Sequence, residues 1–268
     1  MKTCVITGAS DGIGAEMARQ LAARGGVSLV LAARNADRLA AVAAQCERAD
    51  APVLAVPTDV ALEAQCRALI DAAVARFGRL DALVNNAGIS AQALLEQVRA
   101  EDLHWYEDLM RVNLWGSVWC THAALPHLKA ARGQLVAVSS LAGLVGVPGR
   151  TAYSASKFAM TGFFEALRAE LKPAGVAVTI AYPGVVATRI RHHGLNARGE
   201  PAGSSGLKED KAMSVEECAR LIIRGMDLRQ REVVMTAQGR LGRWLKLIAP
   251  GKVEDLALAA LKHEVRPY

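Results

Sequence analysis

The chain has 268 residues, 52% apolar and 22% charged, with a net charge of +6. Such a length and apolar share support a sizeable core and exclude a disordered or fibrous chain. The charge is mild and spread along the sequence, so it allows an anionic ligand without calling for nucleic acid. The five cysteines, Cys4, Cys46, Cys66, Cys120 and Cys218, are odd in number and scattered, with no CxxC. That points to reduced thiols in a cytosol-like compartment and to neither a disulfide framework nor a structural zinc site. The first strand pattern begins at the second residue, which leaves no room for an apolar targeting segment, and no apolar run reaches membrane-spanning length. A cytoplasmic protein is therefore expected.

In chain order, β-rich runs alternate with helical patterns. The runs are KTCVIT, VSLVLAA, PVLAVPT, DALVNNA, QLVAVSS, VAVTIAY and EVVMTA. They are near-continuously apolar, as strands buried on both faces of a parallel sheet are. Helical segments such as GAEMARQLAARG and EAQCRALIDAAVARFG fill the gaps. The expected fold is α/β, a doubly wound parallel sheet (Rossmann fold) of about seven strands with right-handed crossovers.

After the first strand, TGASDGIGAEM places Gly8, Gly12 and Gly14 in the spacing G-x-x-x-G-x-G, with Ser10 and Ile13 inside the turn. Glycines there let the backbone turn tightly and approach a pyrophosphate, which the following helix N-terminus attracts. The spacing differs from the common G-x-G-x-x-G fingerprint. At the end of the second strand, where a carboxylate usually grips the adenine ribose of NAD, stand Ala33 and Arg34. A guanidinium suits a 2′-phosphate, and Arg38 adds charge one turn on, so NADP(H) is the expected cofactor, with NAD(H) as the alternative. Asn35 is a candidate helix cap and Asp37 a rival ribose ligand. Asp59 and Val60, after the third strand, are placed to meet the adenine ring.

The fourth strand runs into Asn86, Ala87 and Gly88, and the fifth into Ser139 and Ser140, at the sheet edge where such folds bind ligands. Thirteen residues after Ser140 comes Tyr153, and four further on Lys157, on a helix that Pro173 and Gly175 close. Positions i and i+4 share a face. An ordinary phenol has a pKa near ~10, and a neighbouring cation lowers it towards a working range. The pair therefore reads as a proton donor tuned by an ammonium that also reaches a cofactor ribose. Ser140 is placed to hold a carbonyl oxygen and the alkoxide it becomes.

Together TGASDGIG, NNAG, Ser140 and YSASK, in this order and spacing from about residue 3 to 190, resemble the short-chain dehydrogenase/reductase family. The resemblance implies a seven-stranded Rossmann sheet and NAD(P)-dependent interconversion of a carbonyl and an alcohol. It implies a further catalytic residue, Asn113 in MRVNLWG, which helps hold a relay water near the lysine. It also implies nicotinamide contacts from Pro183, Gly184, Val186 and Thr188 in YPGVVAT. The tail resembles the hydroxysteroid-dehydrogenase-like branch. A 3-oxoacyl thioester reductase and a non-catalytic NAD(P) sensor are the alternatives, the sensor disfavoured by the presence of both Tyr153 and Lys157.

Residues 189–211, rich in Gly, Ser, Pro and charge, are expected as a substrate loop within a domain spanning 1–238. Its His192 and His193 lack further ligands at a useful spacing, and no metal is expected. Residues 239–268 read as a C-terminal helical extension. There Leu241, Trp244, Leu245 and Ile248 share a face largely opposite Arg240, Arg243 and Lys246. Packing over the cleft or on a second subunit is expected of it, ahead of contact with a membrane surface. The pocket loops follow Ile89, Leu141 and Thr188, and a small apolar carbonyl or alcohol is the expected partner. Trp115, Trp119, Phe163 and Phe164 suggest helices that are apolar on two sides, hence a homodimer or homotetramer.

Overall fold

The computed structural model describes residues 1–190, 192–203, 212–259 and 261. Part of the expected loop 189–211 and most of the end of the 239–268 extension therefore lie outside the described residues. In chain order the elements are β1 (Lys2–Thr7), α1 (Gly12–Arg24), β2 (Val27–Ala33), α2 (Ala36–Glu47), β3 (Val53–Pro57), α3 (Glu63–Phe77) and β4 (Ala82–Asn85). Then come α4 (His104–Met110), a π-helical turn (Arg111–Trp115), α5 (Gly116–Ala131), β5 (Gln134–Val138) and α6 (Thr151–Leu171). The chain continues with β6 (Ala177–Tyr182), α7 (Val215–Asp227), β7 (Glu232–Val234), α8 (Ala237–Ile248) and α9 (Pro250–Ala259).

All seven strands are parallel, in the order β3-β2-β1-β4-β5-β6-β7. Alternate side chains enter two cores, one on each face. Ile6, Leu29, Leu31, Val84 and Val136 pack with Met17, Leu39, Ile222 and Ile223 from α1, α2 and α7. Val5, Val30, Leu83, Leu135 and Ile180 pack with Leu69, Ile70, Cys120, Met160 and Phe164 from α3, α5 and α6. Burial on both faces is the reason for the unbroken apolar runs.

The strands end sooner than the apolar runs, because residues beyond Asn85, Val138 and Val234 leave the ladder to form the crevice. Strand order reverses direction at β1 and β4, and it is there that doubly wound sheets open a ligand crevice. The helix ends follow side-chain chemistry. Asp11 caps α1 by accepting from the Gly12 N–H at 2.8 Å, and Asn35 caps α2 by accepting from the Arg38 N–H at 2.8 Å. Helix α6 begins at Thr151 and ends in a short turn at Lys172–Ala174, closed by Gly175 with φ +71°.

One expectation is corrected. Phe164 is fully buried and meets Phe163 edge-on with ring centroids 5.0 Å apart, so it belongs to the monomer core. The C-terminal extension folds as two helices, α8 and α9. Gly239 packs against Leu141, and Lys246 lies over the Phe158 ring and donates to the Leu144 carbonyl. Leu241, Trp244, Leu247 and Ile248 remain exposed. Among the described residues no helix is long and apolar enough to cross a membrane.

Candidate active site

The carboxyl ends of the strands enclose a cleft of about 830 Å³. At one end the chain turns through Gly8, with φ +66°, and Gly12, with φ +54°. Only glycine adopts such angles without strain. A Cβ on Gly8 would stand 2.8 Å from the Ala87 Cα, and one on Gly14 would stand 2.4 Å from the Gly8 carbonyl oxygen. Gly14 accordingly lies beneath the turn, whereas Gly8, Ser10, Gly12 and Ile13 line the cleft. The turn is held from below by Asn86, whose amide donates to the carbonyls of Thr7 and Gly8 at 2.9 and 3.2 Å. Thr7 Oγ1 accepts from the backbone N–H groups of Asn86 and Ala87, each at 3.0 Å.

Ala33, Arg34, Arg38, Asp59 and Val60, expected about the adenine and its ribose, line the cleft as well. Ala33 is small and buried, and Arg34 is exposed beside it. Asp37, the rival ribose ligand, stays outside the cleft in the first turn of α2. Asp59 turns its carboxylate back on the Ala61 N–H at 3.0 Å. Asp11, which sequence reasoning passed over, meets Arg38 at 3.6 Å and Arg189 at 3.1 Å, joining the glycine turn to the segment after β6. Its signal was the cap position ahead of a helical glycine.

Tyr153 and Lys157 face the other end of the cleft from one side of α6. Lys157 Nζ lies 5.8 Å from the centroid of the Tyr153 ring and donates to the Val138 carbonyl at 3.0 Å. Its complete burial pulls its pKa below the ordinary 10.5, to about 8. Ser140 Oγ accepts from the Ala142 N–H at 3.2 Å and lines the same cleft. Ser139, its neighbour in sequence, is buried and donates to the Lys157 carbonyl at 3.3 Å, so it braces the helix.

Asn113 is fully buried behind this wall. Its Nδ2 donates to the Ile89 carbonyl at 3.0 Å and to Ser156 Oγ at 2.9 Å, and its Oδ1 accepts from the Ile89 N–H at 2.8 Å. It sits in the π-helical turn, a distortion often found at functional sites. A Cβ on Gly88 would stand 3.1 Å from Asn113 Oδ1 and 3.6 Å from Lys157 Nζ, so that glycine keeps a gap open between the two. Pro183, Gly184, Val186 and Thr188 line the cleft beside Ser140, and a Cβ on Gly12 would stand 3.3 Å from Thr188 Cγ2.

Ser90, Ala142, Val147, Ile190 and His193 also line the cleft, together with Ala257 of α9. Ala257 comes from the C-terminal extension, which has no sequence motif pointing to the cleft. The residues fit a nicotinamide dinucleotide: a glycine cradle that side chains would fill, a helix N-terminus behind it, and a hydroxyl, phenol and ammonium at the far end.

Comparison with known proteins agrees. A model of the short chain dehydrogenase family matches residues 2–198. The chain is 38% identical over 250 residues to 11-beta-hydroxysteroid dehydrogenase-like 4A of Arabidopsis thaliana, covering 93% of this chain and 81% of that protein. It is 38% identical over 259 residues to 11-beta-hydroxysteroid dehydrogenase A of Sesamum indicum, covering 94% and 73%. Among solved structures, a short chain dehydrogenase/reductase of Burkholderia phymatum in complex with NAD superposes with TM-score 0.78 at 28% identity, covering 92% of this chain and 94% of that one. The alcohol dehydrogenase of the archaeon Thermococcus sibiricus, complexed with 5-hydroxy-NADP, gives TM-score 0.74 at 28% identity, covering 87% and 94%.

The depressed pKa of Lys157 has a consequence for stability. The unfolded chain holds this proton to about pH 10.4, and the fold releases it near 8. Between these values the unfolded state binds more protons, so the lysine's contribution to stability rises with pH. Urea denaturation of the wild type and Lys157→Met at pH 7 and pH 10 should show the wild type gaining about 2–3 kcal/mol relative to the variant. A flat difference would show that burial does not shift this group.

Proposed function

The chain belongs to the short-chain dehydrogenase/reductase family and is an oxidoreductase acting on CH–OH groups with a nicotinamide cofactor; from that premise we propose that it is an NADPH-dependent enzyme interconverting an apolar ketone or aldehyde and its alcohol. The observation that carries this reading is the approach of Lys157 Nζ to the Tyr153 ring, at 5.8 Å, in a cleft that Ser140 also lines. The cofactor, when bound, supplies or takes the hydride. This chain's residues do the rest. Ser140 Oγ donates a hydrogen bond to the carbonyl oxygen and holds it as it becomes an alkoxide. Tyr153 Oη gives that oxygen its proton in reduction and removes it in oxidation. Lys157 stabilises the phenolate left behind and holds a cofactor ribose hydroxyl, and Asn113 supports the relay of protons behind Gly88.

Arg34 and Arg38 support the preference for a 2′-phosphate, since no carboxylate stands at Ala33 to accept from a free ribose hydroxyl. Trp115, stacked on Trp119 with ring centroids 5.9 Å apart, and Phe158 are exposed on helices α5 and α6 or the turn before them. We read them as the seat of a second copy.

Tyr153→Phe should lower turnover by about 10²-fold or more while leaving NADPH affinity within about threefold, since the phenol's proton serves chemistry alone. Lys157→Ala should weaken both. Calorimetric titration with NADPH separates them, and equal losses of affinity would sink this division of roles. Exchanging Ala33→Asp with Arg34→Ile should reverse the cofactor preference, each charge-assisted contact being worth about tenfold. The comparison is kcat/KM for NADPH and NADH in both proteins, and a parent that prefers NADH would refute the role given to Arg34. Light scattering should find a dimer or tetramer at micromolar concentration, and a monomer would leave the exposed aromatics without that purpose.

A further inference from the structure

Arg150 is a buried cation that the proposed chemistry does not use. It immediately precedes α6, so its side chain leaves the backbone one turn before Tyr153. Its backbone is fixed by a β-bridge with Ala93, whose N–H donates to the Gly149 carbonyl at 2.8 Å. Arg150 is 7% exposed, lines the cleft, and donates through Nη2 to Ser90 Oγ at 3.0 Å. Its Cζ lies 5.2 Å from the centroid of the Tyr153 ring, nearer than Lys157 Nζ at 5.8 Å.

We propose that Arg150 is a positioning residue that, with Lys157, stabilises the phenolate of Tyr153 during proton transfer. This rests on the acid–base role given to Tyr153 above. A cation within about 4–6 Å favours the ionised form of a phenol, and it does so more strongly where water is excluded. A cation over an aromatic ring is attracted by its π cloud, and ionisation of the ring adds charge to that attraction.

The two cations are not redundant. Lys157 gives up its proton near pH 8, whereas a guanidinium keeps its charge throughout. Above that pH, Arg150 is the cation that persists beside the phenol. The groups facing Tyr153 from the surrounding elements oppose it little. Lys157 shares α6, Ser140 faces it from the turn after β5, and Ser90 from the segment after β4. Tyr106 of α4 packs nearby with its hydroxyl on Thr151, and His193 and Arg189 stand on the segment after β6. Among the described residues lining the cleft, the carboxylates are Asp11 and Asp59, both towards the adenine end.

The test reads Tyr153 directly, without turnover. The ultraviolet titration of phenol ionisation is recorded for the wild type, Arg150→Met, Arg150→Lys, Ser90→Ala and Lys157→Met. Each is paired with the same protein carrying Tyr153→Phe, so that the difference belongs to Tyr153. Arg150→Met should raise the midpoint by about one unit or more. Arg150→Lys should recover part of that shift, and Ser90→Ala should give a smaller shift in the same direction by loosening the guanidinium. A folded Arg150→Met that titrates like the wild type, while Lys157→Met shifts, overturns this inference and leaves the acid–base reading standing. If neither moves the midpoint, both fall. Should Arg150→Met fail to fold, unchanged midpoints in Arg150→Lys and Ser90→Ala overturn the inference.

Discussion

Where β1 gives way to α1, the backbone of Gly8 passes so near Ala87 that a methyl group on it would stand 2.8 Å from the Ala87 Cα. The same turn folds back on itself until a Cβ at Gly14 would meet the Gly8 oxygen at 2.4 Å. This contact between the segments that follow β1 and β4 forms at the place where the sheet reverses its order. It brings the N-terminus of α1, with Gly12 and Ile13, to the lining of the crevice. Asn86 and Thr7 satisfy the backbone groups that the tight turn exposes, so their polar atoms serve the scaffold first.

The chemical end depends on a different economy of charge. Lys157 is wholly buried, and the Val138 carbonyl and the Met160 sulfur are its polar neighbours in the protein. Burial disfavours its charged form, which is why its proton is loosely held. Such a lysine is an unstable cation that gains by meeting a phenolate or a ribose hydroxyl. Ser139 and Thr161 bond to its carbonyl and fix the helix that carries it. The π-helical turn at Arg111–Trp115 places Asn113 behind Gly88, where a regular helix would have rotated it elsewhere. The polar shell behind the cleft is thus assembled from α6, the π turn and the strand ends.

The C-terminal helices close the cleft on one side. Ala257 reaches the lining and Gly239 lets α8 lie on Leu141. The side of α8 that carries Trp244, Leu247 and Ile248 faces outward. Among the described residues its amphipathic pattern therefore does not record burial, as the pattern of α7 does with Cys218, Ile222 and Ile223.

Much of this was legible in the sequence, because the signals are local. Unbroken apolar runs set the strands, glycine spacing set the turn, Asn35 set a cap, and the interval from Tyr153 to Lys157 set a shared helical face. Each depends on backbone geometry over fewer than about ten residues. What the tertiary structure alone decided depends on approach between distant segments. It gave the neighbouring serines different work: Ser139 Oγ is tied to the Lys157 carbonyl, whereas Ser140 Oγ accepts from the Ala142 N–H at the cleft. It placed Asp37 outside and Asp11 between two arginines, and it buried Phe164 while exposing Trp115. It set Arg150 against the Tyr153 ring, a contact made through the anchoring of Ser90 and Ala93, some 60 residues away along the chain. No periodicity encodes such contacts, since they follow from how the strand ends and the loops beyond them pack around one crevice.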